Sequence, residues 1–206
     1  DLPDPELNKV IGNQLKASTK YSSADRILTW DPSSSQYVQY WLKSNALGVG
    51  TNAWVAAATG LVTTNVFLPP GVGYWIQTVS TLTQTVVLVG DVVNDAVVTN
   101  SLLGGNVFNM MSYPFSAPVK LNAMQLTNGT ASAKYSSADV IWLWDLENKM
   151  YVEYWLKLNG GGLGTNAWVL ASNGTVATND LTPGVGLWYR AKTAFNWKAV
   201  RPYTLD

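Results

Sequence analysis

Alternation of apolar and polar positions is the strongest local signal in the chain. Tyr37-Val38-Gln39-Tyr40-Trp41-Leu42 is dense in β-branched and aromatic residues and predicts an extended strand. A period of two places Tyr37, Gln39 and Trp41 on one face and Val38, Tyr40 and Leu42 on the other. Gln39 on the first face, replaced by Glu153 further along, marks that face as the exposed one. Ile27-Leu28-Thr29-Trp30 predicts a second strand, with Leu28 and Trp30 expected in the core, as are Trp142 and Trp144. Between the two strands, Asp31-Pro32-Ser33-Ser34-Ser35 has the composition of a hairpin turn, opened by Asp with Pro next. Further strands are expected at Tyr74–Thr78, Thr85–Val89, Ala96–Leu102, Val107–Tyr113 and Leu187–Lys192. Helical periodicity is confined to short stretches near Glu6–Lys16 and Leu121–Leu126.

This pattern occurs twice. Lys20 begins KYSSADRILTWDPSSSQYVQYWLKSNALGVGTNAWV, and Lys134 begins KYSSADVIWLWDLENKMYVEYWLKLNGGGLGTNAWV, 114 residues later and without a gap. PPGVGYWIQ from Pro69 matches TPGVGLWYR from Thr182, now 113 residues apart, so a single residue has been inserted or lost. Leu7-Asn8 matches Leu121-Asn122 upstream. Strands spaced by Gly, Pro and Asn turns predict an all-β fold of two tandem homologous modules, each sandwich- or barrel-like. The expected division is 1–103 for the first module and 104–206 for the second.

A series in the second copy resembles a known repeat. It runs Asn109-Met110-Met111-Ser112-Tyr113-Pro114, then Val140-Ile141-Trp142-Leu143-Trp144-Asp145, then Leu181-Thr182-Pro183-Gly184-Val185-Gly186-Leu187-Trp188. It is similar to the repeat module of uncharacterised bacterial secreted and surface β proteins, which follow "N-L-I-S-Y-P … V-W-x-W-D … L-x-P-G-x-G-Y-W-I". The resemblance covers nearly all of the second copy and the first from its Trp-Asp strand onward. It implies an exported all-β adhesive, repeat or surface module, and it implies no catalytic activity.

The copies are unequal. Phe115 falls opposite Asp1, so the first module lacks a counterpart of the opening strand Val107–Pro114. Asp206 falls opposite Val93, so the second lacks a counterpart of Ala96–Leu102. A sheet missing a strand exposes unpaired N–H and C=O groups, and natural edges are usually blunted with charge. Between Lys43 and Lys120 the only charges are Asp91 and Asp95. Complementary open edges on one chain define a head-to-tail contact that closes into a ring or continues as a filament. The expected interface residues are Asp1, Leu2, Val107, Phe108, Met110, Tyr203 and Leu205.

Composition narrows the chemistry. The 206 residues contain no Cys and no His, which excludes a thiol nucleophile, a Ser-His-Asp triad, a zinc site of ordinary ligands and disulfides. Thirteen basic and thirteen acidic residues leave no net charge and no basic run, against nucleic-acid binding. There is no run of about 18 apolar residues, so no membrane span is expected. The start at Asp1, with this Thr-, Asn- and Ser-rich composition, is expected of an exported chain whose leader has been removed. Zero net charge also weakens repulsion between copies.

Each remaining candidate site stands beside a packing explanation. Trp41, Trp75, Trp155 and Trp188 recur in both copies, as do Trp54 and Trp168. Tryptophan faces can stack on sugar rings, but recurrence equally suits residues that define the fold. Asp25, Asp139, Asp31 and Asp145 also recur, and a glycosidase needs a carboxylate pair across a cleft. Turn positions explain Asp31 and Asp145 without chemistry, and Asp25 follows Ser22-Ser23 as a turn cap would. Oxygen ligands at Asp145, Glu147 and Asn148 are not repeated at Pro32, Ser33 and Ser34, so a solvated turn is expected there rather than calcium. Gly71-Val72-Gly73 precedes a strand and lacks the following Lys-Ser/Thr of a phosphate loop. Asn128 and Asn173 head Asn-x-Thr triplets, possible glycosylation acceptors. No cofactor or metal is expected. The function expected is non-enzymatic: an extracellular or cell-surface structural subunit that pairs with copies of itself into a filament, sheath or surface layer. The alternative is a carbohydrate-binding or adhesive surface module with glycans as partners.

Overall fold

The computed structural model describes residues 6–48, 50–87, 93–162 and 164–204. The chain is all-β. Among the described residues the one α-helix, α1, is the single turn Leu7–Val10. Glu6 caps it, with its carboxylate accepting the Asn8 amide, and Gly12 follows at φ +55°. Leu121–Ala123 forms a 3-10 turn at the matched place in the second copy.

The chain forms two compact units. One comprises 1–31, 36–69 and 74–92; the other comprises 32–35, 70–73 and 93–206. The first unit holds β1 (Arg26–Asp31), β2 (Gln36–Lys43), β3 (Ala53–Ala56) and β4 (Tyr74–Gln77) in one antiparallel sheet ordered β3-β2-β1-β4. Ile27, Tyr40, Leu42 and Trp54 pack with Leu7, Ile11 and Leu68 on one face, which forms the core of this unit.

The second unit contains β5 (Val97–Leu102), β6 (Phe108–Ser112), β7 (Val119–Lys120), β8 (Val140–Asp145), β9 (Met150–Lys157), β10 (Ala167–Leu170), β11 (Asp180–Leu181), β12 (Gly186–Arg190) and β13 (Phe195–Val200). Its main sheet has five strands, in the order β10-β9-β8-β12-β6. Two two-stranded sheets, β11-β7 and β13-β5, complete it. Its core gathers Met111, Phe115, Leu121, Ile141, Leu156, Trp168, Tyr189 and Trp197.

Matched residues hold matched registers. Arg26 stands opposite Trp41 and Val140 opposite Trp155; Trp41 stands opposite Val55 and Trp155 opposite Val169. The β1–β2 and β8–β9 turns each end on a residue at φ +53°, Ser35 and Lys149. Asp145 accepts the amides of Glu147 and Asn148 and the Asn148 side chain, the turn-opening role read from the sequence.

Two expectations are corrected. Thr85–Val87 is irregular, and residues 88 and 89 lie outside the described residues. Ala96–Leu102 was expected to belong to the first copy; Val97–Leu102 instead pairs along its whole length with β13 in the second unit. The missed partner, Phe-Asn-Trp-Lys-Ala-Val, buries Trp197 and Ala199 fully, and six paired positions outweigh proximity in sequence.

Candidate functional site

The main sheets end differently. At one end both are closed by the chain itself. Val55 bridges Val62, with the Thr63 amide donating to the Trp54 carbonyl at 2.9 Å. Val169 bridges Val176, with the Ala177 amide donating to the Trp168 carbonyl at 2.8 Å. A side chain locks each closure. Asn8 Oδ1 accepts the Trp54 amide while its Nδ2 donates to the Thr63 carbonyl. Asn122 does the same with Trp168 and Ala177.

At the other end the second unit has β6 and the first unit has no strand among the described residues. β6 pairs with β12 over five positions, placing Met110 opposite Trp188 and Met111 opposite Leu187. Leu187, Trp188 and Tyr189 are 2%, 8% and 0% exposed. Their counterparts in β4, Tyr74, Trp75 and Ile76, are half-buried, and Gln77 is exposed. β4 pairs with β1, and among the described residues no strand pairs with its second edge. Within the second unit, the far edge of β6 meets the segment 70–73. The Gly73 amide donates to the Met110 carbonyl and the Ser112 amide to the Gly71 carbonyl. Gly71, at φ +85°, turns the chain into this contact, where a Cβ would meet the Asn100 side chain.

The faces opposite the cores carry the aromatics. Cross-strand register puts Leu28 opposite Gln39 and Trp30 opposite Tyr37, and Trp142 opposite Glu153 and Trp144 opposite Tyr151. Leu28, Trp30, Trp142 and Trp144 thus share a face with Tyr37, Trp41, Tyr151 and Trp155, which corrects the expectation that they line the core. The core positions are Ile27 and Ile141, one residue away, because the period is two. Trp30–Tyr37 and Trp144–Tyr151 meet edge-on at 5.1 and 4.9 Å. Glu153 accepts from the Tyr135 hydroxyl and from Trp142 Nε1, and Tyr21 donates likewise to Gln39. Burial, then the Glu153 carboxylate, raises the Tyr135 pKa.

The cation on this face has exchanged strands. Arg26 lies 4.9 Å over the Tyr21 ring, opposite Gln77. In the second unit Arg190 lies 5.8 Å from Phe108 and 6.0 Å from Trp142, opposite Val140. Val140 occupies the place of Arg26 and Arg190 that of Gln77, so the paired sites traded a guanidinium and kept it on the face. Nε of both arginines is buried and without a hydrogen-bond partner.

Asp25 and Asp139 are fully buried and act as staples. Asp25 accepts the amides of Lys16 and Val79 at 2.8 and 2.7 Å. Asp139 accepts those of Thr130 and Lys192 at 2.8 and 2.6 Å, and the Tyr189 hydroxyl at 2.7 Å. These partners are distant in sequence, so each carboxylate joins segments instead of capping a local turn. Burial, then the Asp139 charge and hydrogen bond, push the Tyr189 hydroxyl far above its ordinary range. A cleft of about 440 Å³ in the first unit is lined by Glu6, Asn8, Lys9, Asn52, Thr63 and Phe67, among others. Among the described lining residues the one carboxylate is Glu6, and it is engaged as the α1 cap. Among the described residues no cluster of three metal-ligating side chains occurs.

Of the expected interface residues, Asp1, Leu2 and Leu205 lie outside the described residues. Val107 and Phe108 are half-buried, and Met110 is 8% exposed within β6. Tyr203 is half-buried, edge-on to Phe115 at 6.1 Å. Among the expected sugar platforms, Trp41, Trp155 and Trp188 are 8–9% exposed and Trp75 is half-buried. The exposed aromatics among the described residues are Tyr37, Phe67, Tyr135, Trp144 and Tyr151. Asn128 and Asn173 are exposed. Gly129, after Asn128, has no room for a Cβ, which would fall on the Tyr189 hydroxyl and Asp139 Oδ2. Among the described residues no helix is long and apolar enough to cross a membrane.

No protein-family model, curated protein or solved structure matches the chain.

Proposed function

We propose that this protein is a non-enzymatic structural subunit that associates with copies of itself through β-strand pairing. The chain is read as two copies of one sandwich- or barrel-like module. The observation that carries this reading is the contrast between β4 and β12: matched strands, one half-buried at the sheet edge, the other buried under β6. A sheet edge with no paired strand among the described residues, in a stretch nearly without charge, supports strand addition as the means of association. Export to the cell exterior, and a place in a filament, sheath or surface layer, follow from the resemblance to secreted bacterial surface repeats and from the absence of net charge.

Negative-stain electron microscopy tests the reading. Extended polymers are expected, shortened or lost on deletion of 1–6 or of 203–206. Uniform single particles would refute it.

A second reading, a glycan-binding surface module, is favoured by the exposed edge-on pair Trp144–Tyr151 beside Glu153. A tryptophan fluorescence shift with glycans would support it, and a flat response across a broad array would count against it.

A further inference from the structure

We propose that the aromatic face of the β8–β9 hairpin in the second unit binds a neutral oligosaccharide of β-1,4-linked pyranose rings whose hydroxyls are all equatorial. This rests on the second reading above, a glycan-binding module, and names the glycan.

Three exposed rings, Trp144, Tyr151 and Tyr135, border this face. Tyr151, Glu153 and Trp155 alternate along one side of β9, and Trp144 stands opposite Tyr151. Tyr135 lies edge-on to Trp155 at 6.3 Å and donates to Glu153. An aromatic patch therefore lies at each end of a row, with Glu153 between them. Four residues of strand carry the row from Tyr151 to Trp155, about 14 Å at roughly 3.4 Å per residue. That is room for more than one sugar ring.

Hydrogen-bonding capacity is open in the same row. Glu153 receives the Tyr135 hydroxyl and Trp142 Nε1 both on Oε1, which leaves Oε2 without a hydrogen bond among the described residues. The Tyr151 hydroxyl accepts Trp188 Nε1 at 3.1 Å and keeps its own proton to donate. A carboxylate oxygen takes a sugar hydroxyl, a phenol gives one, and the ring faces stack on sugar C–H bonds. Glu153 and Arg190 act on the Tyr135 hydroxyl with opposite sign, so their charges cancel and select neither an acidic nor a basic polymer.

The linkage follows from geometry. In a β-1,4-linked chain successive rings turn opposite faces to the same side. A row of aromatic rings can stack on each of them only if both faces lack axial hydroxyls. The first copy is the poorer site. Leu28 replaces Trp142 and Gln39 replaces Glu153, so the acceptor loses its charge and one of its two donors.

The test titrates cellohexaose, the β-1,4-linked glucose hexamer, into the full chain and follows heat and tryptophan fluorescence. Binding is expected, weakened roughly tenfold by Trp144→Ala, which removes an exposed ring. Glu153→Gln keeps the side-chain shape and should weaken it several-fold; Trp30→Ala, at the matched place in the first copy, should leave it unchanged. The β-1,4-linked galactose hexamer, with its axial hydroxyls, should bind more weakly. No binding of cellohexaose, binding indifferent to Trp144→Ala and Glu153→Gln, equal weakening by Trp30→Ala, or equal affinity for the galactose hexamer overturns the proposal. A glycan array that finds another ligand while cellohexaose fails keeps the glycan-binding reading and removes this assignment; a flat array removes both.

Discussion

Trp188 stands directly opposite Met110 on the β12–β6 ladder and keeps 8% of its surface exposed. Trp75 holds the matching place in β4 and is half-buried, with no strand beyond it among the described residues. Removing Met110 therefore opens a packed site, whereas truncating Trp75 does not. Met110→Ala is expected to cost about 2–5 kcal/mol, the range for a buried methionine, and Trp75→Ala distinctly less than the roughly 3–5 kcal/mol usual for a buried tryptophan. Urea denaturation of each variant checks the order.

The buried carboxylates differ by one donor. Asp139→Ala leaves two backbone amides and the Tyr189 hydroxyl unpaired, and Asp25→Ala leaves two amides. At about 1–3 kcal/mol per orphaned donor, both are severe and Asp139→Ala is the worse. Equal midpoints in chemical denaturation would contradict the staple assignment.

Tyr189 sets an alkaline limit. Its folded pKa is raised by burial and by Asp139, so the folded state holds the phenolic proton more tightly than the unfolded chain does. Its contribution is complete below the unfolded value near pH 10 and is lost as pH climbs beyond it. Tyr74, Tyr113 and Tyr154 are shifted the same way by burial. Thermal melts from pH 8 to 11 are expected to fall above pH 10, and Tyr189→Phe to fall less steeply.

The exchanged arginine predicts a rescue. Arg26→Val removes a cation over Tyr21, worth about 0.5–1 kcal/mol. Gln77→Arg alone sets like charges opposite one another. The double variant recreates the Val140–Arg190 arrangement and should be more stable than the two single effects sum to, as a double-mutant cycle would read.

Much of this was legible before any coordinates. Alternation and turn chemistry marked the hairpins Ile27–Leu42 and Ile141–Leu156, and the repeat implied their common register, because both signals are local. Face assignment failed at Leu28 and Trp30, where hydrophobicity alone cannot tell a core face from an aromatic outer face; only the cross-strand partners Gln39 and Tyr37 decide it. β13 was missed although Phe195, Trp197 and Ala199 alternate, since its partner β5 lies about a hundred residues away and pairing at that range leaves no local trace. Asp25 and Asp139 were visible as recurring carboxylates, but their remote amide donors were not. The match of Trp75 with Trp188 was readable from the repeat, whereas their burial contrast needed the fold.

Self-association is most directly tested by sedimentation velocity of the purified chain over a rising concentration series. The account predicts species that grow with concentration without a fixed upper size. A single species at the monomer mass of 22.4 kDa throughout would contradict it.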